Sequence, residues 1–318
     1  MHMITTDISL IRERLNEGEL IGLPTETVYG LAANVFNSKA VASIFSTKKR
    51  PTTNPLIVHV ASISQARALV KRFPEKANLL AKRFWPGPLT MILPKNQTVS
   101  HAVTANQENV AIRIPNHPAA LSLLNQLDFP LVAPSANPFN RISPTTAEHV
   151  DTYFPSIYTL DGGACQSGVE STIVGFEGNE VVLLRHGAIS IENIEDCVGR
   201  ILNRTAATAH ASLPGQHKKH YAPSCELIVT YEPLFMLSAV KDKKVGILWY
   251  KSVQIESIHV DVNLVLSPTG DLADAAKNLF ASLHAMDQMG LDLIIVERLP
   301  AYGLGITIND RLDRAATK

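Results

Sequence analysis

Lys48, Lys49 and Arg50 stand in a row before Pro51, and an apolar run from Leu56 to Val60 follows with His59 inside it. Cations at a helix-to-strand corner add charge where backbone groups are already unpaired, and this favours an anion. The same cations also serve to offset the dipole of the helix they end, a contribution of about 0.3–1 kcal/mol. A second polar corner, Ala-Pro-Ser-Ala-Asn at 133–137, follows another apolar run and offers hydroxyl and amide groups. Together the two corners suit a phosphorylated small molecule.

Further candidates lie nearby. Arg113 interrupts the apolar strand pattern Val-Ala-Ile-Arg-Ile-Pro. A charge there needs a partner, since an unpaired buried charge is costly. It either closes an internal ion pair or clamps a ligand carboxylate, for which the planar guanidinium is suited. The segment 24–30, Pro-Thr-Glu-Thr-Val-Tyr-Gly, is a turn that satisfies its own backbone or a corner that holds an amine or hydroxyl. Ser171 lacks a G-x-S-x-G setting, so a hydrolase triad is not expected. Neither G-x-x-x-x-G-K-[ST] nor G-x-G-x-x-G occurs, so a bound nucleotide would use another phosphate cradle. His59 has no second histidine or cysteine near it and reads as a satisfied core residue. His217 and His220 would share a helical face, but Pro214 and Gly215 favour a loop, and no metal is expected there. The run 217–223, His-Lys-Lys-His-Tyr-Ala-Pro, is either a lid for phosphates or a solvated linker.

The elements that must position these groups follow from periodicity. Ile8, Ile11 and Leu15 share one face of a helix over 7–20 with Asp7 as its cap. Residues 19–31 begin as a strand that breaks at Pro24. Helical patterns recur at 38–48, 62–73, 75–84, 118–127 and 145–153. Strand-like runs occupy 55–60, 89–94, 110–115, 131–134, 157–160, 171–176 and 180–185. This mixture predicts an α/β domain with a mixed, twisted sheet over residues 1–200. Residues 190–203 read as helical, and 204–224 are too long and polar for an ordinary connection. A connector is therefore assigned to 201–224, followed by a smaller, Rossmann-like open α/β domain over 225–318. That domain is expected to hold strands at 226–230, 245–250 and 293–297 and a helix near 271–289 carrying Leu272, Ala276, Leu279 and Leu283.

Composition narrows the function classes. The 318 residues suit two domains, and 46% hydrophobic with 18% charged residues suits a full core. Lys plus Arg equals Asp plus Glu at 29 each, so no global basic field exists and a long nucleic acid would be bound weakly at most. Three widely spaced cysteines (Cys165, Cys197, Cys225) make neither a zinc ribbon nor a disulfide framework and fit a reducing compartment. With no apolar leader and no membrane-length run, a cytoplasmic protein is expected.

Taken in order, several segments closely resemble the YrdC-like family, in its long, two-domain, threonylcarbamoyl-AMP-forming branch. They are 23–31, 48–60, 84–90, 110–118, 133–150, 161–174 and 183–189, and then 214–223 and 303–316. The resemblance implies L-threonylcarbamoyladenylate synthesis from L-threonine, bicarbonate and ATP, with pyrophosphate released. Partner transferase machinery would pass the product to tRNA, giving threonylcarbamoyladenosine next to the anticodon. It also implies a catalytic set of Lys48, Arg50, Ser135 and Asn137. Threonine would lie against Thr27, His59, Arg113, Ala133 and Ser171. ATP would lie against Arg50, Asn54, Asn109, Ser135, Ser143, Arg185 and Tyr221. Mg²⁺ is expected to be held mainly by the ATP phosphates.

Some positions depart from the family pattern. Lys49 stands where glycine is usual, Phe139-Asn140 replaces a Ser-Gly pair, His186 replaces proline, and Gly175 replaces an acid. Asn140 can still take the left-handed conformation that glycine would. A competing reading is a double-stranded RNA-binding module of the same fold, against which the neutral charge argues. Carbamoyl-adenylate formation for another acceptor, as in hydrogenase-maturation relatives, would call for zinc-finger and acylphosphatase-like regions that this sequence lacks.

Overall fold

The computed structural model describes residues 3–205, 220–252 and 260–317. Much of the 201–224 connector, His217 included, lies outside the described residues. In chain order the first part holds β1 (Ile4–Thr5), α1 (Ile8–Asn16), β2 (Ile21–Leu23), β3 (Gly30–Asn34), α2 (Ser38–Lys48), β4 (Ile57–His59), α3 (Ile63–Ala68) and α4 (Glu75–Phe84). Then come β5 (Leu89–Pro94), β6 (Asn109–Arg113), α5 (Pro118–Leu124), β7 (Leu131–Val132), α6 (Ala147–Tyr153), β8 (Thr159–Leu160), β9 (Thr172–Glu177), β10 (Glu180–Arg185), α7 (Ile191–Val198) and β11 (Leu202–Asn203). The second part holds β12 (Glu226–Thr230), α8 (Pro233–Ser238), β13 (Val245–Trp249), β14 (Val262–Val265), α9 (Leu272–Asp287), β15 (Leu293–Glu297) and α10 (Leu304–Ala316).

The first eleven strands form one mixed sheet in the order β1-β8-β2-β3-β7-β4-β6-β5-β9-β10-β11. The last four form a separate sheet in the order β12-β15-β13-β14, parallel throughout. Side-chain caps mark where α1 and α2 start. The Asp7 carboxylate accepts from the Ser9 and Leu10 amides, and Asn37 does the same for Lys39 and Ala40. At its other end α2 stops because Lys49 turns left-handed (φ 53°, ψ 38°), and Pro51 cannot continue the helix.

Several elements differ from the sequence expectation. The helix expected over 62–73 is only α3, and the run at 190–203 ends as a helix at Val198 before turning into β11. Strands β3 and β14 and helix α10 were not anticipated. The small residues of Gly-Leu-Ala-Ala-Asn give β3 no β-branched signature, and its pairing with β2 and β7 outweighs propensity.

One apolar cluster spans the two parts. Val28, Ile142 and Val169 from the large-sheet part pack in one cluster with Tyr221 and with Phe280, Ile308 and Leu312 from α9 and α10. Among the described residues no helix is long and apolar enough to cross a membrane.

Candidate active site

The end of α2 places two cations in different settings. Lys48 is fully buried, and its ammonium donates to the backbone carbonyls of Ser135 and Asn137. Burial, and then Arg50 beside it, push its pKa well below the ordinary lysine value. Its own carbonyl accepts from the Phe139 amide at 2.8 Å. Lys48 thus ties the helix end to the 133–139 corner and is absent from the cleft lining, where sequence reasoning expects it among the phosphates. Arg50 does line the cleft, braced by the carbonyls of Asn54 (3.2 Å) and Pro55 (3.0 Å). Burial first, and then Arg185, lower its pKa to about 9.

Arg113 ends β6 at the register position opposite His59 of β4. Its Nη1 donates to Thr27 Oγ1 at 2.8 Å and its Nε to the Gly87 carbonyl at 3.3 Å. Nη2 lies 2.6 Å from Glu26 Oε2, but neither Nη2 nor either Glu26 oxygen has the alignment of a hydrogen bond. Arg113 therefore has an internal acid and also lines the cleft. Burial, then Arg113, push His59 down to about 3, and its ring Nδ1 lies 3.2 Å from the Ile57 carbonyl. The imidazole is therefore neutral at pH 7. Ser171 Oγ pairs with Thr90 Oγ1 at 2.7 Å and also accepts from Arg185 Nη2 at 3.1 Å. Ala133 joins this wall because its amide donates to the Ile57 carbonyl.

On the other side, Arg185 ends β10, and burial holds its pKa at about 10. Tyr221 is buried with a left-handed backbone (φ 64°), its ring stacked on Phe280 at 5.2 Å. Asn140 is left-handed too (φ 69°), as its sequence allows, and its carbonyl accepts from the Ala222 amide. The cavity enclosed by these groups has a volume of about 50 Å³.

Thr27, Arg50, His59, Arg113, Ala133, Ser135, Ser171, Arg185 and Tyr221 all line it. Asn54 and Asn137 stand behind the lining: Asn54 braces Arg50, and the Asn137 amide closes the 137–141 turn onto the Pro138 and Arg141 carbonyls, each at 2.9 Å. Ser143 reaches the cleft only through Glu170, donating to its Oε1 at 2.9 Å.

Asn109 does not line this cleft. It is the exposed first residue of β6, four positions before Arg113, which puts it about 13 Å along the strand. It borders a separate surface pocket with Arg72 and Gly175. Sequence reasoning gives no role to Glu170, which lines the cleft, nor to Arg311 behind it, whereas His220, part of the 217–223 run, also lines the cleft. Glu170 stands just before the strand expected at 171–176, with nothing local to mark it.

Residues 13–187 match the Sua5/YciO/YrdC family, described as telomere recombination, and residues 189–317 match the threonylcarbamoyl-AMP synthase C-terminal domain. The threonylcarbamoyl-AMP synthase of Pyrococcus abyssi is 40% identical over 318 residues, covering 95% of this chain and 92% of that protein. That of Bacillus subtilis is 40% identical, covering 95% and 90%. A crystal structure of P. abyssi Sua5 complexed with L-threonine superposes with a TM-score of 0.88 at 39% identity, covering 97% of this chain and 94% of that one.

Proposed function

Because this chain belongs to the Sua5/YciO/YrdC family and carries the threonylcarbamoyl-AMP synthase C-terminal domain, we propose that its cleft joins L-threonine, bicarbonate and ATP into threonylcarbamoyl-AMP. The chain is a nucleotidyl-transferring enzyme of the threonylcarbamoyl-AMP synthase type. The observation that carries the reading is three guanidiniums, Arg50, Arg113 and Arg185, around one cleft. Arg113, with Thr27 and Ser171 beside it, suits the threonine carboxylate. Burial, and then Arg185 beside it, lower the Arg50 pKa, so an incoming phosphate oxygen relieves a cost already present in the protein.

Bicarbonate and the threonine amine give a carbamate with loss of water. A carbamate oxygen then attacks the α-phosphorus, and the bond to the departing pyrophosphate breaks. The residues contribute by orientation and by fixed positive charge, without a covalent enzyme intermediate. His59, held neutral, adds no charge to the threonine pocket. The carboxylate on the lining, Glu170, already has both oxygens engaged, by Ser143 and by Arg311. Mg²⁺ is accordingly assigned to the phosphates of ATP, where it would offset their charge. The product, a mixed anhydride, would pass to transferase machinery that modifies tRNA next to the anticodon. The same reading puts the protein in the cytoplasm.

Product analysis by mass spectrometry tests this. Incubation with ATP, Mg²⁺, bicarbonate and threonine is expected to give threonylcarbamoyl-adenylate, lost on omitting threonine or bicarbonate. Pyrophosphate release without that adenylate would point to a different acceptor.

A further inference from the structure

The largest fully buried side chain of the described residues is an arginine, Arg311, on α10. Each of its nitrogens is engaged. Nε donates to Glu170 Oε2 at 2.9 Å, Nη2 to the His186 carbonyl at 2.7 Å, and Nη1 to Asp310. Its guanidinium also lies 5.5 Å from the centre of the Tyr221 ring. Of these partners Glu170 and Tyr221 line the cleft, and His186 follows Arg185, which lines it too. One turn earlier on α10, Thr307 donates to the Gly187 carbonyl at 2.9 Å. Gly187 presses on the Ser171–Thr172 backbone, where a Cβ would come within 2.3 Å.

From this arrangement we infer that Arg311 is a positioning residue for the ATP half of the cleft, supplied by the C-terminal domain. The inference rests on the ATP reading above. Glu170 is a carboxylate in the same wall as the arginines assigned to the phosphates, and left alone it would repel them. Arg311 cancels that charge from behind, points Glu170 Oε1 at Ser143, and holds Tyr221 and the end of β10 in register. The C-terminal domain is then part of the nucleotide site itself.

The test uses the full-length chain and the ATP and threonine dependence of adenylate formation. Arg311→Met is expected to raise the ATP KM by about ten-fold or more and leave the threonine KM within about two-fold, because it exposes the phosphates to a buried, unpaired acid. Adding Glu170→Gln to Arg311→Met removes that acid and is expected to bring the ATP KM back to within about three-fold of wild type. A purely structural arginine would show no such rescue. Equal rises in both KM values, no change in either, or a double variant no better than the single one would overturn the inference. If Arg311→Met does not fold, the double variant alone decides, and a ten-fold loss of ATP affinity there counts against it. A wild-type chain that forms no adenylate would sink the functional reading and this inference together. An active wild type with an unaffected Arg311→Met would sink this inference alone.

Discussion

Two buried arginine–glutamate pairs flank the cleft, Arg113 with Glu26 and Arg311 with Glu170, and they differ in how completely each is satisfied. The Glu170 oxygens each accept a well-formed hydrogen bond, one from Ser143 and one from Arg311, and all three Arg311 nitrogens have acceptors. In the other pair the charges are close, but Nη2 of Arg113 and both Glu26 oxygens lack aligned partners. A misaligned buried pair leaves hydrogen-bonding capacity unused, and a ligand carboxylate can take it up. The Arg311–Glu170 pair therefore behaves as a strut and the Arg113–Glu26 pair as a socket. Chemical type alone does not separate them; alignment does.

Arg113→Ala probes the socket most directly. It is expected to raise the threonine KM by about 100-fold, the scale of lost charge-assisted hydrogen bonds, with the ATP KM changed by about three-fold at most. Equal losses for both substrates would break the distinction. Next in size, Glu170→Gln is expected to lower unfolding stability in urea by about 2 kcal/mol at pH 7, and Glu26→Gln by less than half of that, since no aligned bond is lost. Burial works against the Glu170 charge, but Arg311 and Arg185 hold its pKa below the carboxylate value of 4.5. A depressed acid stabilises the fold above its unfolded pKa and stops doing so as pH falls through its folded one. The gap between wild type and Glu170→Gln should thus close below pH 4.5, and a gap that persists in acid would deny the strut its charge.

His59, opposite Arg113 in register, gives a smaller acid-side effect. The unfolded chain protonates this residue from its ordinary 6.5, while the fold resists down to about 3. Wild type should therefore lose stability across that interval more steeply than His59→Gln, as read from melting curves. Smallest of all is Lys49→Gly, which belongs to neither pair. Relief of the left-handed backbone at φ 53° should stabilise the fold by about 0.5–1 kcal/mol with both KM values unchanged. A change in ATP KM there would mean that the α2 corner, and not the strut, sets the nucleotide site.

Much of this was legible from residue order. The spans of α2, α4, β5, β10, β12 and β15 follow directly from apolar periodicity and caps. Arg113 stood out because a charge on an apolar strand needs an explanation. Asn109 shows the limit: it shares a strand with Arg113, and only the fold reveals that the strand's other end points away from the cleft. Lys48 was credited with facing phosphates because a cation's partners are not written beside it; the carbonyls it holds are 87 and 89 residues away. Glu170 and Arg311 are separated by 141 positions, and neither carries a local signature of the other.

The strut also has a clock. Helix α10 follows every other described element in chain order, so a ribosome that has finished the large sheet at Asn203 has roughly a hundred residues still to make before Arg311 appears. At ordinary synthesis rates that is an interval of about 5–20 s. During it Glu170 has no counter-charge from α10, and Val28, Ile142 and Val169 lack the apolar face of α9 and α10. A nascent chain would thus hold a nearly finished threonine socket before it held a nucleotide site. On the inference drawn for Arg311, the cleft would take up ATP only when nearly all of the protein has been made.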